Sequence, residues 1–200
     1  MQYLIFHGSF GSSEGNWIPW LKSKLEALGH KVINPQMPVE DYKLMEKTGP
    51  TFECKNQSLT SWLEVFQKEV LPQIDINQPL IIVAHSLAPV FVLHILEKYN
   101  LQLKQAVFAA PFLATDPSDW MFYKVNYSFF KNNFDFEKLS KLCGETIVFY
   151  GDNDPYVPVA MPIEFADKLN ARKIVIPNGG HLNAEFGYTS FPELFEVLNK

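Results

Sequence analysis

Short apolar runs alternate along the chain with segments whose apolar positions recur every three or four residues. Residues 3–6, 31–34, 79–84, 105–109, 146–150 and 172–176 read as strands. Leu80-Ile81-Ile82-Val83 and Ile147-Val148-Phe149-Tyr150 are apolar at successive positions. That pattern belongs to strands buried on both faces of a parallel sheet. Between the strands, Asn16 is placed to cap a helix carrying Trp17, Trp20, Leu21, Leu25 and Leu28 and ending at Gly29. Ser58 or Thr60 starts another, with Trp62, Phe66 and Val70 on one stripe. Pro89 suits the first turn of a third, ahead of Val90, Leu93, Ile95 and Leu96. Ser190-Phe191-Pro192-Glu193 has the form of a capping box opening the last helix. The alternation predicts an α/β fold, a mostly parallel sheet of about six strands with helices on both faces. At 200 residues the chain fits one domain, residues 1–200.

Two connections break the rhythm. Residues 35–57 are polar and rich in turn formers, whereas residues 110–133 carry Phe112, Trp120, Phe122, Tyr123, Tyr127, Phe129 and Phe130. A long aromatic insertion after a sheet strand is expected either to cover a pocket or to pack on the core, and a cover must do both.

The strongest chemical signal is Ile82-Val83-Ala84-His85-Ser86-Leu87-Ala88-Pro89. A buried strand meets a serine with small residues two positions either side, and a helix starts at once, which is the context of a nucleophile elbow. Alanines replace both glycines of G-x-S-x-G. The helix N-terminus behind Ser86 favours a developing oxyanion. In the order Ser, acid, His required of α/β-hydrolases, Gly151-Asp152-Asn153-Asp154-Pro155 follows the fifth strand and Gly179-Gly180-His181-Leu182 the sixth. Both loops leave C-terminal strand ends, where open α/β sheets bind ligands. Asp152 and Asp154 are both candidates to orient His181; Pro155 holds Asp154 extended and removes a nearby N–H. The loop His7-Gly8-Ser9-Phe10-Gly11 can turn the N–H of Ser9 or Phe10 towards the serine, completing an oxyanion hole with Leu87. It has neither G-x-G-x-x-G nor a Walker lysine, so nucleotide binding is not expected. His85 is expected to pack or bond locally and His7 to shape its own loop, while His30 and His94 lie away from the site.

Composition narrows the partners. A net charge of −5 and a single arginine, Arg172, argue against nucleic acid. Cys54 and Cys143 form no zinc spacing and the histidines are scattered singly, so no metal site is expected, and the serine chemistry requires no cofactor. No apolar run approaches a membrane span, and the first residues lack the build of a signal peptide. The expected setting is the cytoplasm, with reduced thiols.

Taken in order, His7-Gly8, Asn16-Trp17 with Pro19-Trp20-Leu21, His85-Ser86-Leu87, Asp154-Pro155 with Val157-Pro158, and Gly180-His181-Leu182-Asn183 resemble the retinoblastoma-binding protein 9 family of small serine hydrolases, over nearly the whole chain. The resemblance implies a compact α/β-hydrolase fold with a triad at Ser86, Asp154 and His181, and names no physiological substrate. Ala88 departs from the glycine usual in that family's elbow. The family's L-x-C-x-E partner motif is broken by Lys141 in Lys141-Leu142-Cys143-Gly144-Glu145, so that partner is not carried over. The expected function is hydrolysis of small carboxylic esters, extending to thioesters or amides, through an acyl-enzyme on Ser86. The alternative is a non-catalytic binding protein of the same fold that engages a protein partner, whose identity the sequence does not give.

Overall fold

The computed structural model describes residues 1–130 and 133–199. Among them, β1 (Gln2–Phe6), β2 (Lys31–Ile33), β3 (Leu80–His85), β4 (Gln105–Ala109), β5 (Glu145–Gly151) and β6 (Arg172–Ile176) form one sheet in the order β2-β1-β3-β4-β5-β6. Every pairing is parallel, with Phe6 beside Ala84, Ala84 beside Phe108 and Ala109 beside Phe149. The helices are α1 (Ile18–Ala27), α2 (Tyr42–Thr48), α3 (Leu59–Val65), α4 (Ala88–Tyr99), α5 (Trp120–Asn126), α6 (Phe136–Cys143), α7 (Ala160–Lys168) and α8 (Pro192–Leu198).

Successive strand side chains point to opposite faces, which divides the core in two. Tyr3, Ile5, Ile81, Val83, Val107 and Phe149 pack against Trp17, Leu21 and Leu25 of α1 and its approach and Leu194 and Leu198 of α8. Leu4, Phe6, Ile82, Phe108 and Val148 face Trp62 of α3, Phe91 of α4, Leu139 of α6 and Phe165 of α7. Each such side chain contributes roughly 1.5–3 kcal/mol on full burial. A one-residue slip in any central strand would exchange the two sets of partners, so the register is tightly specified.

Helix starts differ from expectation where burial or proline overrides a capping pattern. Asn16 does not cap α1: it lies at φ 53°, and its side chain accepts from the N–H of Ala184 at 3.0 Å instead. Trp17 is the N-cap residue, without a side-chain cap, and Pro19 in the first turn offers no N–H to one. Leu28 falls past the last turn of α1 and is exposed. Ser190 does not cap α8 either, because fully buried Phe191, wedged beside Trp17 and Phe149, sets the N-cap one residue later. Ser58, in contrast, forms a reciprocal capping box with Ser61. The polar connection 35–57 contains α2, which Asp41 caps through the N–H of Leu44; only Met45 of that helix is buried. Of the aromatic insertion 110–133, residues 131 and 132 lie outside the described residues, as does residue 200. Phe112 and Phe129 are buried in the core, Phe129 with its ring centroid 5.1 Å from that of Trp62, while Tyr123 and Tyr127 are exposed. Among the described residues no helix is long and apolar enough to cross a membrane.

Candidate active site

From β1 the chain winds outward to β2, and from β3 it winds the other way. The loops after β1 and β3 therefore diverge, opening a crevice at the C-terminal strand ends. Ser86 stands at that crevice. Its N–H continues the sheet by donating to Ala109 O at 2.8 Å, and its φ of 62° turns the chain sharply into α4. A left-handed φ is unfavourable for a non-glycine residue and persists only where its surroundings enforce it. Gly8 is one such surrounding, since a Cβ there would lie 2.6 Å from Ser86 Cβ and 3.1 Å from its Oγ. The sequence marks Gly8 as part of a loop able to turn an N–H towards the serine; its steric duty beside Ser86 comes only with the β1–β3 pairing.

His181 Nε2 lies 3.0 Å from Ser86 Oγ, and its Nδ1 lies 2.7 Å from Asp154 Oδ2. The other oxygen of Asp154 accepts the N–H groups of Tyr156 at 2.8 Å and Val157 at 3.0 Å. Burial pushes the Asp154 carboxyl up, but the hydrogen bond and charge of His181 and these two N–H donors outweigh it and hold the group below the usual carboxylate range. The carboxylate thus takes the proton on Nδ1, leaving the Nε2 lone pair to accept the serine hydroxyl. Of the two candidate acids, Asp154 faces His181. Asp152 accepts the N–H of Asn178 at 2.7 Å and Asn153 that of Gly180 at 2.7 Å, so both brace the histidine loop. The two loops touch so closely that a Cβ on Gly151 would sit 2.2 Å from Gly180 O. Gly180 itself has φ 54° and lies flat under the Phe186 ring.

Two further side chains hold the histidine's backbone. His85 Nε2 donates to His181 O at 2.9 Å, and the Trp17 indole donates to Leu182 O at 3.0 Å. His85 does bond locally, as expected, and its partner is the main chain of His181. Burial, then the neighbouring His181, lowers its pKa from 6.5 to about 3, so it stays neutral 4.9 Å from the His181 ring. A depressed pKa means that folding selects the neutral form. That contribution is complete above 6.5 and is lost as pH falls towards about 3. The His85 imidazole is therefore expected to show no NMR titration between about pH 5 and 8. Urea midpoints are expected to fall less on acidification in His85→Gln than in the parent protein. A titrating His85, or equal acid sensitivity, would contradict this assignment.

His7 shapes its own loop: Met37 N donates to Nε2 at 2.9 Å, leaving the Nδ1 proton for Gly8 O at 2.8 Å. His94 donates to Phe129 O at 2.7 Å on the far side of α4. Among the described residues, no protein acceptor takes the N–H of Ser9, Phe10 or Leu87. A cavity of about 270 Å³ opens beside Ser86 and His181, walled by Phe112, Phe122, Val157 and Met161, with Asp116 and Asp119 on its rim. A second depression, more polar, lies over the Gly8–Ser12 loop and Asn183, and Phe122 and Tyr156 stand between the two. The arrangement can remove a proton from a hydroxyl, receive an anion beside it and hold an apolar group to one side.

A family model for serine hydrolases matches residues 3–200. The chain is 27% identical to YdeN of Bacillus subtilis (strain 168) over 201 residues, covering 98% of this chain and 94% of that protein. The crystal structure of the B. subtilis ydeN product superposes with a TM-score of 0.78 at 26% identity, covering 99% and 96% of the two chains. Est1E from Butyrivibrio proteoclasticus, solved with ferulic acid bound, shares the fold with a TM-score of 0.68 at 15% identity, covering 99% and 88%.

Proposed function

The chain belongs to the serine hydrolase family, within the α/β-hydrolase superfamily, and we propose that it cleaves small carboxylic esters through an acyl-enzyme on Ser86. Thioesters and reactive amides fall within the same chemistry. The observation that carries this reading is the continuous hydrogen-bond chain from Ser86 Oγ through His181 to Asp154. Ser86 Oγ attacks the carbonyl carbon as His181 Nε2 takes its proton. Asp154 stays ionised and stabilises the imidazolium. The N–H of Leu87, with that of Ser9 or Phe10, receives the oxyanion. Collapse expels the alcohol with the proton from Nε2, and water then releases the acid by the same steps in reverse. No step calls for a metal or an organic cofactor. The finer placement beside the retinoblastoma-binding protein 9 group, and a cytoplasmic setting, belong to the same proposal.

A fluorophosphonate probe is expected to modify Ser86 alone among the serines, as read by peptide mapping. An unlabelled, folded protein would favour the binding-protein reading instead.

The apolar cavity is the natural seat of the acyl group, and it sets a length limit. Each buried methylene contributes about 0.8 kcal/mol until the space is filled. With Phe112 and Phe122 closing it, kcat/KM is expected to peak at acyl chains of a few carbons and then decline. Faster turnover of long-chain lipid esters in a p-nitrophenyl series would remove this assignment.

A further inference from the structure

The Ser9 side chain anchors a buried polar cluster that the steps above leave without a role. Its Oγ donates to Asn126 Oδ1 at 2.5 Å and accepts from Gln57 Nε2 at 3.0 Å. Gln57 Nε2 also reaches Asn126 Oδ1 at 3.0 Å and Val125 O at 3.3 Å. Asn126 is fully buried and Gln57 nearly so. The three residues come from the loop after β1, the approach to α3 and the last turn of α5. Among the described residues, Gln57 Oε1 and Asn126 Nδ2 have no hydrogen-bond partner, although both are buried.

Unpaired amide atoms in the interior oppose folding, and apolar side chains of similar size would fill the space without that penalty. The hydrogen bonds of the cluster converge on the loop after β1. What they fix is Ser9, whose hydroxyl proton and lone pair are both engaged. The backbone around it is a tight turn, closed by Gly11 N donating to Gly8 O at 3.1 Å, with Phe10 at φ 54°. A positive φ at a phenylalanine is strained and needs outside support. That turn lies beside Ser86, with Gly8 against the serine and the N–H groups of Ser9 and Phe10 without an acceptor among the described residues.

We infer that Gln57 and Asn126 are positioning residues which, through the Ser9 hydroxyl, hold the Ser9–Phe10 backbone so that its N–H meets the oxyanion formed at Ser86. The inference rests on Ser86 being the nucleophile. Asn126 closes the same helix, α5, that places Phe122 over the site. The cover and the oxyanion donor are thereby tied to one another. A donor aimed in advance acts strongly on the transition state and weakly on bound substrate.

Ser9→Ala leaves Gln57 Nε2 its bonds to Asn126 and Val125, so the fold is expected to survive. Its kcat on a short-chain ester is expected to fall about 10- to 100-fold, with KM changed by less than about twofold. Asn126→Leu should fall similarly, and Ser9→Thr should recover most of the loss. A trifluoromethyl ketone, whose adduct on Ser86 carries the oxyanion, should bind more weakly by the same factor. The pH of half-maximal activity should not move, because the proton path through His181 is untouched. Unchanged kcat and ketone affinity in Ser9→Ala would overturn the inference, and so would losses that merely track the folded fraction. If the wild type is active and labelled at Ser86, those results overturn this inference alone. A wild type that is neither active nor labelled overturns the hydrolase reading with it.

Discussion

Turnover of a short-chain ester by Ser86→Ala is expected to fall about 10⁶-fold, leaving only what binding and the oxyanion donors sustain. The size of the loss follows from the way the parts depend on one another. Without Oγ, His181 Nε2 has no hydroxyl to deprotonate at 3.0 Å, and no acyl-enzyme can form. The fold should be little affected, because alanine keeps the Cβ packed beside Gly8 and the N–H that pairs with Ala109. Alanine also accepts the left-handed φ no worse than serine does. Burst kinetics with p-nitrophenyl acetate, checked against circular dichroism, measure the effect. Burst amplitude surviving in Ser86→Ala would place the nucleophile elsewhere.

For Asp154→Asn a drop in kcat of about 10⁴ at neutral pH is expected, with the fold intact. The direction follows from the acid's two oxygens. One is claimed by the N–H groups of Tyr156 and Val157, so in the amide that position must remain the oxygen. The new NH₂ group then faces His181 Nδ1, which has to accept. The imidazole proton moves to Nε2, where it blocks removal of the serine proton. Asp152→Asn should lose far less, since its carbonyl oxygen can still accept from Asn178 N. A collapse of kcat/KM in Asp152→Asn with Asp154→Asn near wild type would reverse the assignment. Linkage adds a second signature. The Asp154 pKa is depressed on folding, so its contribution to stability is present above the ordinary carboxylate range and is lost as pH falls through the folded value. Acid unfolding of Asp154→Asn should therefore begin from a lower but flatter baseline.

The strands were the most legible part of the sequence, because short apolar runs between turn residues mark them even where, as in β6, no residue is buried. Residues 105–109 and 172–176 match β4 and β6 at both ends. The serine, the two neighbouring acids and the histidine could be found because each sits just after such a run. Helix starts were harder to read. At Asn16 and Ser190 the capping residues are of the right kind, but Pro19 and the burial of Phe191 decide the geometry. Helix α2 buries Met45 alone, so no stripe announces it. The cluster of Ser9, Gln57 and Asn126 left no local trace, since Ser9 meets partners 48 and 117 residues away. The aromatic insertion could not be divided in advance between cover and core. Phe129 packs against Trp62, and Phe122 lines the cavity beside Ser86.

The contact between Gly151 and Gly180 bears on how this scaffold can be redesigned. Backbone meets backbone there with no side chain to absorb a change, and Asp152 and Asn153 reach across to the opposite loop. The acid-bearing and histidine-bearing loops therefore form a single exchangeable cassette. Transplanting one from another hydrolase without its mate would mismatch the seam and swing the imidazole away from the serine. A recombination library built on this chain should cut outside residues 151–186, where crossovers leave the pair together.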